Sequence, residues 1–160
     1  MRVATFNILY GRSVAHGGVV EGELRAAAEQ LDADVVGLQE VDHAQPRSSG
    51  TDQTAVVANA LGAEHWRFVP SLHGTPGSAW TAADVADGST VDGPAYGVGL
   101  VSRLPVSSWH VRRFRPAPVG LPLIVPGCAG LTHVDDEPRV ALAAVLMTRA
   151  GPLTAVTAHL

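Results

Sequence analysis

A chain of 160 residues, 46% of them hydrophobic, has the length of one domain and enough apolar content to bury about 70% of its unfolded surface. That composition excludes a disordered segment, and no repeat occurs at solenoid period. The net charge is −4 and all 11 cations are Arg, which argues against a broad nonspecific duplex-DNA binder but not against an enzyme whose metal supplies the positive field. Cys128 is the only cysteine, so neither an internal disulfide nor a cysteine metal cluster is expected. The apolar runs are too short to span a bilayer. The first strand starts at the initiator Met, leaving no room for a signal peptide, and a cytoplasmic location is the expectation.

Residues 2–8, RVATFNI, read as a strand with Asn7 near its carboxyl end. A Gly-rich loop follows, in which His16 is exposed and receives no role. Residues 21–31 place Leu24, Ala27, Ala28 and Leu31 on one helical face. Residues 34–42, DVVGLQEVD, begin as a short β-branched run, the pattern of a strand buried on both faces. The run then changes to Gln39, Glu40, Val41 and Asp42. Glu40 either marks the strand leaving the core or is a carboxylate at the carboxyl end, where open α/β sheets place their chemistry. Strand, helix, strand implies two parallel strands, so Asn7 and Glu40 open onto one surface. A carboxylate beside a carboxamide suits a hard divalent cation.

The loop after Glu40 carries Arg47, which leaves from the same edge and either meets a phosphate or is solvated. Asp42 and His43 receive no role. Ser49 or Thr51 caps a second helix that reaches Leu61 and ends at Gly62. Residues 64–70 read as a strand, and 71–94 as a long loop with Trp80 midway. Residues 96–103, YGVGLVSR, form a strand in which Gly97 and Gly99 signal close approach of another layer. Pro105 stops its ladder.

Residues 107–114 alternate as a partly exposed strand, with Trp109 and His110 on opposite faces. Arg112, Arg113 and Arg115 form a basic cluster that is explained equally well as charge protecting an exposed strand edge or as a phosphate-binding patch. The proline-rich stretch 116–126 reads as a surface loop. Residues 140–147 and 153–158 form an antiparallel hairpin deep in the sheet, and His159 stands at its end.

The segments ATFNI, LQEVD, YGVGLVSRLPV, PRVALAAVL and GPLTAVTAHL occur in order over almost the whole chain. They resemble the Mg²⁺-dependent endonuclease/exonuclease/phosphatase superfamily, which includes deoxyribonucleases, abasic-site endonucleases, neutral sphingomyelinases and inositol-polyphosphate phosphatases. The resemblance implies an α/β (α+β) fold, a four-layer α/β/β/α sandwich with a mixed sheet flanked by helices. It implies metal-dependent hydrolysis of a phosphoester in a nucleic acid, phospholipid or small phosphate ester. Glu40 and Asn7 are the implied seat of Mg²⁺ or Mn²⁺, with Asn7 also orienting the phosphate or the water. His159, matching the family's strand-terminal His, is the implied hydrogen-bond or proton donor, and Arg47 a substrate contact. The variable region 71–94 is where such proteins shape substrate choice.

The family's later Asp/Asn and Asp-His blocks do not occur in these residues. Residues 1–160 are therefore expected to form an incomplete, N-terminal domain portion with little activity alone. It would hold little more than the first sheet, leaving that sheet's inner face uncovered and prone to self-association. Two alternatives stay open: a non-catalytic fragment or interaction module that keeps the scaffold, and an unrelated small α/β domain.

Overall fold

The computed structural model describes residues 1–84, 91–116, 121–124, 131–134 and 136–159; Cys128 lies outside them. Strands β1 (Val3–Asn7) and β2 (Val35–His43) flank helix α1 (Glu21–Leu31). They pair in parallel from Val3↔Val35 to Asn7↔Gln39. Helix α2 (Gln53–Leu61) is capped by Asp52, whose carboxylate accepts from the Ala55 N–H at 3.1 Å. Neither expected cap serves: Ser49 closes the short turn Pro46–Ser48 in a left-handed conformation, and the Thr51 carbonyl accepts from the Ala44 N–H. Gly62 ends the helix at φ 62°, as anticipated.

Strand β3 (His65–Gly74) outruns the expected strand and pairs with a short β4 (Trp80–Ala82), so part of the long loop is sheet. Strand β5 (Ala95–Ser102) lies between β2 and β3, antiparallel to both, and completes the order β1-β2-β5-β3-β4. Its two glycines answer to different neighbours. A Cβ at Gly99 would lie 2.7 Å from Thr54 Oγ1 of α2, whereas at Gly97 it would strike the Val69 carbonyl of the adjacent strand. The close approach at Gly97 is thus within the sheet, at the break in the β3–β5 register.

A second sheet follows. Strand β6 (Val106–Phe114) precedes a ribbon of β7 (Leu121–Ile124) and β8 (Leu131–Val134), then β9 (Arg139–Thr148) and β10 (Gly151–Ala158). The ribbon replaces part of the expected proline-rich loop; the flanking residues 117–120 and 125–130 are not described. The sheet order is β10-β9-β6, so the hairpin does not lie deep in one sheet: β9 is central and β10 is an edge. Trp109 packs inward while His110 is exposed, as the alternation predicts.

Two apolar layers result. Leu24, Ala28, Val56 and Val57 of the helices pack on Val36, Leu38 and Val101. On the other face of the first sheet, Val35, Val69, Val98 and Leu100 pack on Val140, Leu142, Ala144 and Leu146 of β9. The inner face expected to be bare is therefore covered by β9, because alternate β9 residues are buried along its length. Arg103 binds the margins together: Nε donates to the Leu61 carbonyl at 2.7 Å and Nη1 to Asp32 at 3.0 Å.

Leu142, fully buried between the sheets, is the sharpest test of this contact. Leu142→Ala should lower unfolding free energy by about 2–5 kcal/mol in urea titrations. Val156→Ala, on the exposed face of β10, should change it by less than about 0.5 kcal/mol.

Candidate active site

Three structural devices bring the rim together. β1 and β2 run parallel, so their carboxyl ends coincide. β5 and β9 run antiparallel to β2 and β10, so their first residues lie at that same rim. The third device is a bulge in β2. Its register with β5 passes from Leu38↔Gly99 to Val41↔Gly97, which sets Gln39 and Glu40 against Val98 alone. Glu40 takes φ 56°, a left-handed conformation that a side chain bearing a Cβ adopts only at a cost. The extra residue turns Glu40 out to the rim and returns Val41 to the core, where it is fully buried.

The side chains at the rim converge. Asn7 Nδ2 donates to Glu40 Oε1 at 2.8 Å, and Asn7 Oδ1 accepts from the Leu9 N–H at 3.0 Å. Only an oxygen can accept from that N–H, so the network assigns the amide and points its nitrogen at Glu40. His159 Nε2 lies 3.7 Å from the same Glu40 oxygen, an ion pair when the imidazole is protonated. Asn7, Glu40 and His159 therefore share one rim of two different sheets, and the arrangement that would have favoured a chance match, Asn7 and Glu40 on opposite edges, is not found.

Arg47 lies beside this group but is engaged. Its Nε and Nη2 donate to the two oxygens of Asp42 at 2.9 and 2.7 Å, and the hydrogen bond to Asp42 raises the guanidinium pKa. Asp42 is fully buried, and the fork gives each of its oxygens a charged donor, as a buried carboxylate requires. The guanidinium lies 4.2 Å from the centre of the Tyr10 ring and 5.7 Å from that of Tyr96. Gln53, also buried, accepts from the Asp42 N–H and donates to the Tyr10 carbonyl, which ties the β1–α1 loop to the end of β2.

His43 stacks on Phe68 with ring centres 5.3 Å apart. Its Nδ1 is 3.3 Å from Asp52 without hydrogen-bond alignment, so its place is structural. His16 closes its own loop against Ser13 and Glu23. The basic cluster is divided: Arg113 donates to the Pro70 carbonyl at 2.6 Å, while Arg112 is exposed on the outer face.

The sequence reading missed Tyr96 and Glu137. Both line a small cleft with Ser71, Arg139 and His159. Each stands where an antiparallel strand begins, and that position is visible only once the strand directions are known. Burial, then the negative charge of Glu40, holds the Tyr96 phenol above its ordinary range, so it is a neutral donor throughout ordinary pH.

Among the described residues no three His, Cys, Asp or Glu side chains form a metal-holding cluster, which rules out a closed all-protein cage there. Mg²⁺ does not need one: it keeps several waters and takes one or two carboxylates plus substrate phosphate. Glu40, partly exposed at the rim, fits that demand. Asn7, with its oxygen on Leu9, fits as a donor to an anion better than as a metal ligand.

A two-sheet sandwich with helices on one face and a carboxylate, a carboxamide and an imidazole at a single rim defines the class. The family model described as "Endonuclease/Exonuclease/phosphatase family" matches residues 4–152, and the chain belongs to that family. The match stops before His159, whose place rests on geometry and on the TAHL resemblance. The crystal structure of an endonuclease/exonuclease/phosphatase from Beutenbergia cavernae superposes with TM-score 0.66 at 25% identity, covering all of this chain and 38% of that one. A family protein from Leptotrichia buccalis gives TM-score 0.57 at 11% identity, again over all of this chain and 55% of that one, a likeness of fold alone. The chain thus spans between about a third and a little over half of these relatives. No curated protein matches it.

Two measurements check this geometry. At most strand positions Gly is less stable than Ala, but at φ 56° the order reverses, so Glu40→Gly should unfold about 1 kcal/mol later than Glu40→Ala in urea. Because the folded pKa of Tyr96 is raised, its contribution to stability is complete below the ordinary tyrosine range near 10 and is lost as pH rises through the folded value. Stability should therefore decline above about pH 10, and Tyr96→Phe should flatten that decline in melting temperatures taken across the range.

Proposed function

We propose that the rim of Asn7, Glu40 and His159 is the metal-holding and phosphate-orienting part of a phosphoester hydrolase site. The observation that carries this is the convergence on one Glu40 oxygen of an amide N–H at 2.8 Å and an imidazole at 3.7 Å. Family membership supports phosphoester chemistry as its class. A bound Mg²⁺ or Mn²⁺ supplies neutralisation of charge building on the phosphate oxygens.

The residues divide the remaining work. Glu40 holds the cation. Asn7 donates its amide N–H to a phosphate oxygen, and the neutral Tyr96 phenol is a further donor at the same rim. His159 donates a hydrogen bond or proton to the phosphoryl group. In the reaction a water oxygen bonds to phosphorus, the ester P–O bond breaks, and the departing oxygen takes a proton.

Asp42 cannot serve as the base that activates water, because it is buried and held by both prongs of Arg47. With Asp42 excluded and Glu40 given to the cation, no base is assigned at the rim, and little turnover by these 160 residues alone is the expected outcome. The substrate class is a phosphodiester or phosphomonoester of a nucleic acid, phospholipid or small molecule. The net charge of −4 and the divided Arg cluster disfavour broad duplex binding. Among the described residues no helix is long and apolar enough to cross a membrane.

Calorimetry on the chain should show Mg²⁺ binding that Glu40→Gln abolishes. No binding by the unsubstituted chain would overturn the metal site and favour a scaffold that has lost its chemistry. With Mg²⁺ present, the chain alone should hydrolyse bis-p-nitrophenyl phosphate barely above the uncatalysed rate. Substantial turnover lost in EDTA and in Glu40→Gln would show that the missing base lies within these residues.

A further inference from the structure

The two halves of the rim belong to separate sheets, so something must set one against the other. Most of the contact between the sheets is apolar, through Val35, Val98 and Leu100 against Leu142 and Leu146. Such contact is non-directional and tolerates small sliding. Hydrogen bonds are directional. One crosses between the sheets beside the rim: Gln39 Nε2 donates to Thr157 Oγ1 at 2.9 Å. The same amide meets Thr5 Oγ1 at 3.1 Å, and Thr5 Oγ1 donates back to Gln39 Oε1 at 3.2 Å, which fixes the amide on both sides.

Its place in the chain gives the tie its consequence. Gln39 directly precedes Glu40, and Thr157 stands two residues before His159. The Thr157 side chain also lies against the Gly37 backbone, since a Cβ on Gly37 would fall 2.9 Å from the Thr157 Cβ. A side chain at position 37 would crowd Thr157, so the absence of one lets it come this close. Arg113, bonded to the Pro70 carbonyl, secures the opposite margin of the sheets and is remote in the strand order from β10.

We propose that Gln39 is a positioning residue that sets His159 against Glu40 by holding Thr157 of the second sheet. This deepens the phosphoester reading and rests on it for its functional meaning. Gln39 touches neither the phosphate nor the cation; it acts through β10. The bulge contributes as well, because it turns Glu40 to the rim while leaving Gln39 between the sheets.

The test uses the metal-free chain labelled for NMR. The unsubstituted protein should show NOEs from the His159 ring to the Glu40 methylenes and the Asn7 side-chain amide. Gln39→Met, close in shape but without the donor, should lose the His159–Glu40 NOEs and keep those between Asn7 and Glu40. Thr157→Val removes the acceptor from the other side and should give the same result, which covers a failure of Gln39→Met to fold. Thr157→Ser should restore the contact. Val57→Ala, a cavity in the helix-side core, should lower the melting temperature and leave the NOEs intact, separating position from stability.

Mg²⁺ shift perturbation then separates the two readings. In the unsubstituted chain Mg²⁺ should shift Glu40 and His159 signals together, and in Gln39→Met it should shift Glu40 while largely sparing His159. Absence of Mg²⁺ binding by the unsubstituted chain overturns the metal site and leaves the NOE result to decide the positioning role. Retention of the His159–Glu40 NOEs in both Gln39→Met and Thr157→Val overturns that role.

Discussion

Strand β2 has to be apolar on both faces and still deliver a carboxylate to water at its end. Val36 and Leu38 face the helices while Val35 faces the second sheet, so a regular continuation would carry the next residues back between the same layers. One inserted residue resolves the conflict. The bulge lets Gln39 stay between the sheets, Glu40 swing to the rim, and Val41 rejoin the helix-side core. Its cost is a non-glycine residue in the left-handed region, about 1–2 kcal/mol. That cost is met by surroundings buried on both sides of β2, which leave the chain no cheaper path.

The same strand explains why the site is shared between two sheets. A rim built only from β1 and β2 would offer Glu40 the Asn7 amide and nothing to answer it from above. Packing β9 across Val35, Val98 and Leu100 brings the β9–β10 hairpin over β2, and the end of β10 then reaches Glu40. Covering the inner face is thus both a stability requirement and the means by which an imidazole arrives. This joins the hydrophobic content of β9 to the placement of His159 at its neighbour's end.

Much of this was legible in the sequence. The helix at residues 21–31 follows from periodicity, the parallel pairing of β1 and β2 from the strand–helix–strand order, and Asn7 and Glu40 from strand ends, whereas His159 was singled out by the TAHL resemblance. The second sheet was not foreseen, because VALAAVLM is equally apolar whether it is central in one sheet or laid across another. Periodicity assigns a strand; it does not say which layer receives it. The Asp52 cap was missed because Ser49 and Thr51 are equally good candidates by type, and the choice depends on where the preceding turn ends. Tyr96 and Glu137 carry no motif signal, since their position at the rim follows from strand direction alone. Arg47 was recognised as leaving the right edge, but its engagement with a buried Asp42 is a tertiary fact.

Two carboxylates two residues apart on β2 meet opposite fates, and the difference is one of environment. Asp42 follows the bulge, points inward, and is fully buried, with both oxygens accepting from a guanidinium that itself lies over the Tyr10 ring. Glu40 sits on the bulge, partly exposed, with an amide donor, an imidazole and no guanidinium on its oxygens among the contacts described. Arg47 gives both prongs of its guanidinium to Asp42 rather than to Glu40. The arrangement leaves Glu40 as the one carboxylate of β2 whose charge still faces the rim, and a divalent cation or an imidazolium is what that charge can attract.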